Sequence, residues 1–147
     1  KEAAPVVRYN LEDISSIVED PCPCGRSFRR LMKIQGRASE MLKVRGVPFY
    51  PSAVEAVLES FPELTREYRL VLDRVGQQDR VTVQVEHRST VAVGALLREG
   101  LERALKVATG LSMETQLLAP GELARSLKVE ERIKVKRIWD RRGEKDV

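Results

Sequence analysis

The side chains able to carry chemistry fall into three groups. Gly36-Arg37-Ala38-Ser39 and Arg45-Gly46 bracket a short apolar run, Met41 to Val44, with a glycine at each end. Such glycines free the backbone for sharp turns, so a strand entered and left abruptly is expected, with function at its turns. Cys22 and Cys24 flank Pro23 in a Pro-Cys-Pro-Cys-Gly run. Two thiols one proline apart make a poor mutual disulfide, and a tetrahedral zinc site takes about four ligands. The chain offers these two cysteines and a distant His87, so reduced thiols of a cytosolic protein are expected, with zinc only if further cysteines join them. The third group is basic. Positions 125–147 carry nine Lys/Arg against five Asp/Glu and the remainder 17 against 17, so the net charge of +4 belongs to the tail. A tail of that kind attracts the phosphates of a nucleotide, of coenzyme A or of nucleic acid, or is a solvated end.

The elements that must position these residues follow from periodicity. At 147 residues the chain can bury one sizeable core, and 42% hydrophobic with 33% charged residues describe a globular domain. No apolar run approaches the roughly 20 residues of a membrane-spanning helix, and no signal peptide is visible. A first residue of lysine is expected of a piece of a longer product. Ser52-Ala53-Val54-Glu55 has capping-box spacing behind Pro51, and Val54, Val57, Leu58 and Phe61 recur at helical spacing up to Pro62. Tyr68, Leu70 and Leu72 alternate with Arg69, Val71 and Asp73, and Val81, Val83 and Val85 with Thr82, Gln84 and Glu86, around a turn at Gly76 to Asp79, which predicts a hairpin with one buried face. A second helix is predicted from Val93 to Ala108, ended by Gly110, and a strand over Met113, Thr115 and Leu117. From Met41 to Leu118 the order is strand, helix, strand, strand, helix, strand. That is an α+β class of ferredoxin-like, split βαβ type, an antiparallel sheet with two helices. An irregular segment precedes it, and a short helix from Glu122 to Ser126 leads into a basic extension. Ile133 and Val135 alternate there with Lys134 and Lys136, as in an extended segment.

The order of residues in Gly36 to Glu55 resembles a motif of the adenylate-forming enzymes, and within them the phenylacetate-CoA ligase family. There a Gly-Arg-x-Asp segment opens a mobile C-terminal domain, a glycine follows, and a Pro-Ser-x-x-Glu helix comes next. Here these read Gly36-Arg37-Ala38-Ser39, Gly46 and Pro51-Ser52-Ala53-Val54-Glu55. Arg8-Tyr9 and Asp13 match parts of the family's Arg-Tyr-Arg-Thr-Gly-Asp, and the Cys22-Pro23-Cys24 run is also common in such sequences. Lys134 and Arg137 fall in register with the final Gly-Lys-x-x-Arg, with Ile133 replacing the glycine.

The resemblance implies a division of roles. Lys134 would bridge the substrate carboxylate and the α-phosphate during adenylation, Asp13 would hold the ribose hydroxyls of ATP, and Arg37 would contact the nucleotide. Ser39 would sit at the hinge in place of the usual aspartate, and Gly46 would line the passage for the pantetheine thiol of coenzyme A. Residues 1–35 would connect from a large N-terminal domain and residues 36–147 would form the C-terminal lid. Cofactors would be ATP with magnesium and coenzyme A. Partners would be the N-terminal adenylation domain of the same enzyme and an aryl carboxylic acid, in the cytoplasm, with no membrane or nucleic acid. The glycine-rich phosphate loop and the acid pocket belong to that larger domain, so the chain alone is expected to be inactive.

Two other readings share the predicted architecture. A small-molecule-binding regulatory module of ferredoxin-like fold has the same strand and helix order without needing the Arg37 and Lys134 motifs. An RNA-binding module needs aromatic side chains on its sheet for stacking bases, and the predicted strands offer Tyr68 alone.

Overall fold

A computed structural model describes residues 10–88, 94–127 and 137–143. Its centre is the expected hairpin, in which β7 (Leu64–Val75) pairs antiparallel with β8 (Gln78–His87). Gly76 takes φ 61° in the Gly76-Gln77 turn, a conformation that glycine adopts without steric cost. On the outer edge of β8 lies β9 (Glu114–Leu118), and on that of β7 lies β10 (Ile138–Asp140). Both outer pairings are parallel.

Two helices cover one face of this sheet. From α1 (Pro51–Glu59) come Val54, Val57 and Leu58, and from α2 (Ala95–Thr109) come Leu101 and Leu105. They form one core with Tyr68, Leu70, Leu72, Val81, Val83 and Val85. Full burial of an aliphatic side chain contributes about 1.5–3 kcal/mol, which makes this layer the main source of cohesion. Gly110 ends α2 as expected, at φ 74° with its N–H donated to the Lys106 carbonyl at 2.9 Å. On the opposite face α3 (Glu122–Leu127) packs on β7 and β8 and buries Leu123 beside the buried Val71. The hairpin is therefore covered on both faces rather than the one that alternation predicts.

The α+β class is as expected, but the sheet is mixed rather than antiparallel. The reason is the Met41 to Val44 run, read from sequence as the sheet's first strand. It forms instead a separate hairpin in which β5 (Leu42–Val44) pairs with β6 (Val47–Phe49). The tip is Arg45-Gly46, at φ 49° and 83°. With both central residues left-handed the chain reverses at once, so the run turns back on itself. The split βαβ arrangement would set that run between β8 and β9; without it β9 pairs directly and in parallel with β8, and β10 adds to the outer edge of β7.

The N-terminal part is a long irregular arm. Here β1 (Asp13–Ile14) pairs with β4 (Gly36–Arg37), and β2 (Ile17–Val18) with β3 (Arg30–Leu31), both antiparallel. A 3-10 turn, Ala38–Glu40, follows β4 directly. The expected capping box does not form, since Tyr50 is the N-cap of α1 and makes no side-chain cap. The Ser52 hydroxyl donates instead to the Gln35 carbonyl at 2.7 Å, tying α1 to the arm.

Candidate functional site

The first group gathers at the join of the arm and the compact domain. Asp13 and Arg37 are direct partners across β1 and β4, and Arg37 Nε donates to Asp13 Oδ1 at 2.9 Å. They border an open groove with Ile34, Gln35, Gly36, Glu40 and Ser52. At Gly36 a side chain would meet crowding rather than a backbone restriction. A Cβ at this position would lie 3.1 Å from Tyr50 Cδ1 and 3.5 Å from Ser52 Oγ, so the ring and the hydroxyl close over bare backbone. Ser39 lies in the 3-10 turn immediately beyond, exposed to solvent.

Gly46 sits elsewhere, at the tip of the β5–β6 hairpin. Nothing lies within 4 Å of where its Cβ would be, and φ 83° is what calls for glycine. Beside it Arg45 Nη2 donates to the Ser112 carbonyl at 3.0 Å, fastening the tip to the segment before β9.

Lys134, with the neighbouring Lys128 and Lys136, lies outside the described residues. The matching Arg137 is described and firmly held. Its Nη1 donates to the Arg66 carbonyl at 2.9 Å, and its guanidinium lies 5.0 Å over the Tyr68 ring. The Tyr68 hydroxyl donates in turn to Glu55 Oε1 at 2.7 Å. Burial, with the Glu55 carboxylate beside it, holds the Tyr68 phenol well above its ordinary value, so it stays a donor. Glu55, read from sequence as reaching back to cap its own helix, is thus committed across the core to β7.

At the far end of β10 is a group that the sequence did not single out. Arg142 bonds Asp140 through Nε at 2.9 Å and Nη2 at 2.6 Å, and its Nη1 reaches Asp79 Oδ2 at 3.1 Å and the Lys43 carbonyl at 2.7 Å. Hydrogen bonds from Arg74 and then Arg142 hold the Asp79 carboxyl below its usual range, and those from Arg142 do the same for Asp140. Nearby arginines and aspartates are common on a basic tail, so no spacing in the sequence marks this cluster.

Cys22 and Cys24 are unbridged, with their sulfurs 2.9 Å apart. Two thiolates on one tetrahedral zinc stand roughly 3.8 Å apart, given zinc–sulfur bonds of about 2.3 Å. No third His, Cys, Asp or Glu completes a metal-binding group among the described residues, so the pair as placed does not fit a closed zinc centre. The Cys24 thiol is lowered chiefly by its hydrogen bond with Cys22.

A small α+β domain, entered through a paired arm and carrying a glycine-tipped hairpin beside a clamped C-terminal strand, has the build of the mobile domain of adenylate-forming enzymes. Residues 46–142 match the family described as AMP-binding enzyme C-terminal domain, and the chain belongs to that family. It is 35% identical to a phenylacetate-coenzyme A ligase of Thermus thermophilus over 97% of this chain and 35% of that protein. A phenylacetate-coenzyme A ligase of Aromatoleum evansii is 36% identical, over 97% of this chain and 32% of its own length, so the chain spans about a third of these curated relatives. Among solved structures, a 2-hydroxyisobutyryl-CoA ligase in its postadenylation state, bound to an acyl adenylate, superposes with TM-score 0.71 and 28% identity over 88% of this chain and 27% of that one.

Proposed function

We propose that this chain is the C-terminal part of an ATP-dependent, AMP-forming aryl acid-CoA ligase similar to phenylacetate-CoA ligase, with residues 1–35 as connector and 36–147 as lid. The observation that carries the reading is the direct pairing of Asp13 with Arg37 immediately ahead of the turn that holds Ser39. Two residues that the resemblance assigns to the nucleotide, 24 positions apart, meet where the arm hands over to the domain. Their ion pair is half open to water on the arginine side, and such pairs are worth about 0–1 kcal/mol. That is weak enough for ribose hydroxyls and phosphate to replace it when ATP binds.

In this reading the acid's carboxylate attacks the α-phosphate while pyrophosphate leaves, and negative charge accumulates between them. Lys134 is the cation that neutralises this charge and fixes the approach of the two reactants. A compact ammonium can serve one oxygen of each. Ser39 then absorbs the backbone rotation that withdraws Lys134, and the Gly46 hairpin presents bare backbone to the coenzyme A thiol. Magnesium on the ATP phosphates supplies charge neutralisation when bound, and the acid pocket and phosphate loop come from the N-terminal domain. The unbridged cysteines fit a reducing, cytoplasmic setting.

The test is Lys134→Ala in the full-length ligase, assayed for phenylacetate-dependent pyrophosphate release. Removing a preorganised charge-stabilising group costs about 100–1,000-fold in rate, and a loss of that order is expected with the protein still folded. An unchanged rate would overturn the assignment.

A further inference from the structure

We infer that β10 carries a positioning arginine at each end, Arg137 for the adenylation lysine and Arg142 for the coenzyme A hairpin, so that one short strand orders the parts used in both half-reactions. The inference rests on the functional reading above and goes beyond it in assigning these two residues.

Arg137 stands three positions after Lys134 in the sequence and immediately before β10. Its backbone carbonyl accepts from the Leu70 N–H at 2.8 Å. Its side chain turns across β7, donating from Nη1 to the Arg66 and Tyr68 carbonyls at 2.9 and 3.4 Å, with Nη2 3.4 Å from Glu67 Oε2. That Glu67 oxygen is buried and has no hydrogen-bond partner among the described residues, so the guanidinium also provides its charge balance. The Tyr68 ring beneath is held by Glu55 on α1, and α1 is tied to the arm by Ser52. Arg137 is thereby referred to the same helix that touches the arm. Lysine has no planar fork with which to stack on the ring and reach these partners together.

Arg142 lies beyond the opposite end of the strand and holds the Lys43 carbonyl in β5, three residues before Gly46. Asp79, at the start of β8, and Asp140 fix the guanidinium on two sides. Arg142 thereby joins β10 and the central hairpin to the small β5–β6 hairpin, which belongs to no larger sheet. Neither arginine is assigned contact with a reacting atom. Each acts through what it holds.

The two half-reactions separate the roles. In the full-length ligase, phenylacetate-dependent pyrophosphate release without coenzyme A reads the first, and thioester formation from added phenylacetyl adenylate and coenzyme A reads the second. Misplacement of a reacting group by about 1 Å costs on the order of 100-fold, so a drop of at least about tenfold is expected from a loosened support. Arg137→Ala should lower kcat for pyrophosphate release by that amount with KM for ATP little changed, and leave thioester formation within about twofold of the unmutated rate. Arg142→Ala should do the reverse. Arg137→Ala should add nothing further to Lys134→Ala. Arg137→Lys and Arg142→Lys, which keep the charge, give the same crossed pattern in milder form and serve where an alanine variant does not fold. A parallel fall of both half-reactions in the lysine variants, or no change in either, would overturn the inference. If Lys134→Ala abolishes pyrophosphate release and the arginine variants do not cross, this inference alone fails. If Lys134→Ala has no effect, the functional reading fails first.

Discussion

Gly36 and Gly46 look alike in the sequence, two glycines at the ends of one apolar run, and the structure gives them different reasons. A Cβ at Gly36 would crowd the Tyr50 ring and the Ser52 hydroxyl, whereas Gly46 takes φ 83° with open space around it. A left-handed conformation costs an ordinary residue roughly 1–2 kcal/mol, so Gly46→Ala should lower stability by about that much. Because the strain sits at the hairpin tip, the proposed coenzyme A role of the hairpin predicts that in the full-length ligase thioester formation falls at least about tenfold while pyrophosphate release stays near the unmutated rate. Equal loss of the two rates would remove Gly46 from the coenzyme A side. Asp13 and Arg37 were legible as individual residues through the motifs around them. Their mutual ion pair was not, since pairing across β1 and β4 depends on how the intervening 23 residues fold, and Cys22 to Phe28 follow no strand or helix period.

Elements with a clear period were read nearly to their ends. The β7–β8 hairpin, α1, α2 with its Gly110 stop, and β9 all stand where apolar spacing puts them. What failed was partnership. The apolar run Met41 to Val44 says that an extended segment exists, but its partner was set by the Arg45-Gly46 turn, and in its absence β9 pairs directly with β8. The Ser52 and Glu55 spacing fits a capping box, yet both side chains found partners outside the helix that no local rule includes. The Arg142 cluster is also a long-range association, and it makes a prediction about pH. Asp79 and Asp140 have carboxyl groups lowered in the folded state, so their contribution is present above the ordinary aspartate range and is lost as pH falls through the lowered values. Arg142→Ala should therefore cost stability at neutral pH and flatten the loss below about pH 4, as read by thermal unfolding from pH 7 to 2.5. An acid slope equal to that of the unmutated protein would show that Arg142 is not what holds these carboxylates.

At the scale of the molecule, a paired arm leads into a domain whose core is closed on both faces of the central hairpin, and the described residues assigned to the reaction, Asp13, Arg37, Ser39 and Gly46, lie at its margins rather than in a pocket of its own. The groove at Asp13 and Arg37 is open, and the Gly46 hairpin stands apart from the main sheet. Such an arrangement suits a lid that completes a site built on a larger domain. It agrees with a chain that spans about a third of its curated relatives. Class and family membership were legible in the sequence because they rest on local motifs and periodicity, whereas the margins that would meet the rest of the enzyme are made by contacts distant in sequence. The most direct test is to mix this chain with the N-terminal domain of a phenylacetate-CoA ligase from the same source and measure phenylacetate-dependent pyrophosphate release. The account predicts release that requires both parts and is lost with Lys134→Ala. Two well-folded parts whose release is the same with the chain, without it, or with the lysine removed would contradict it.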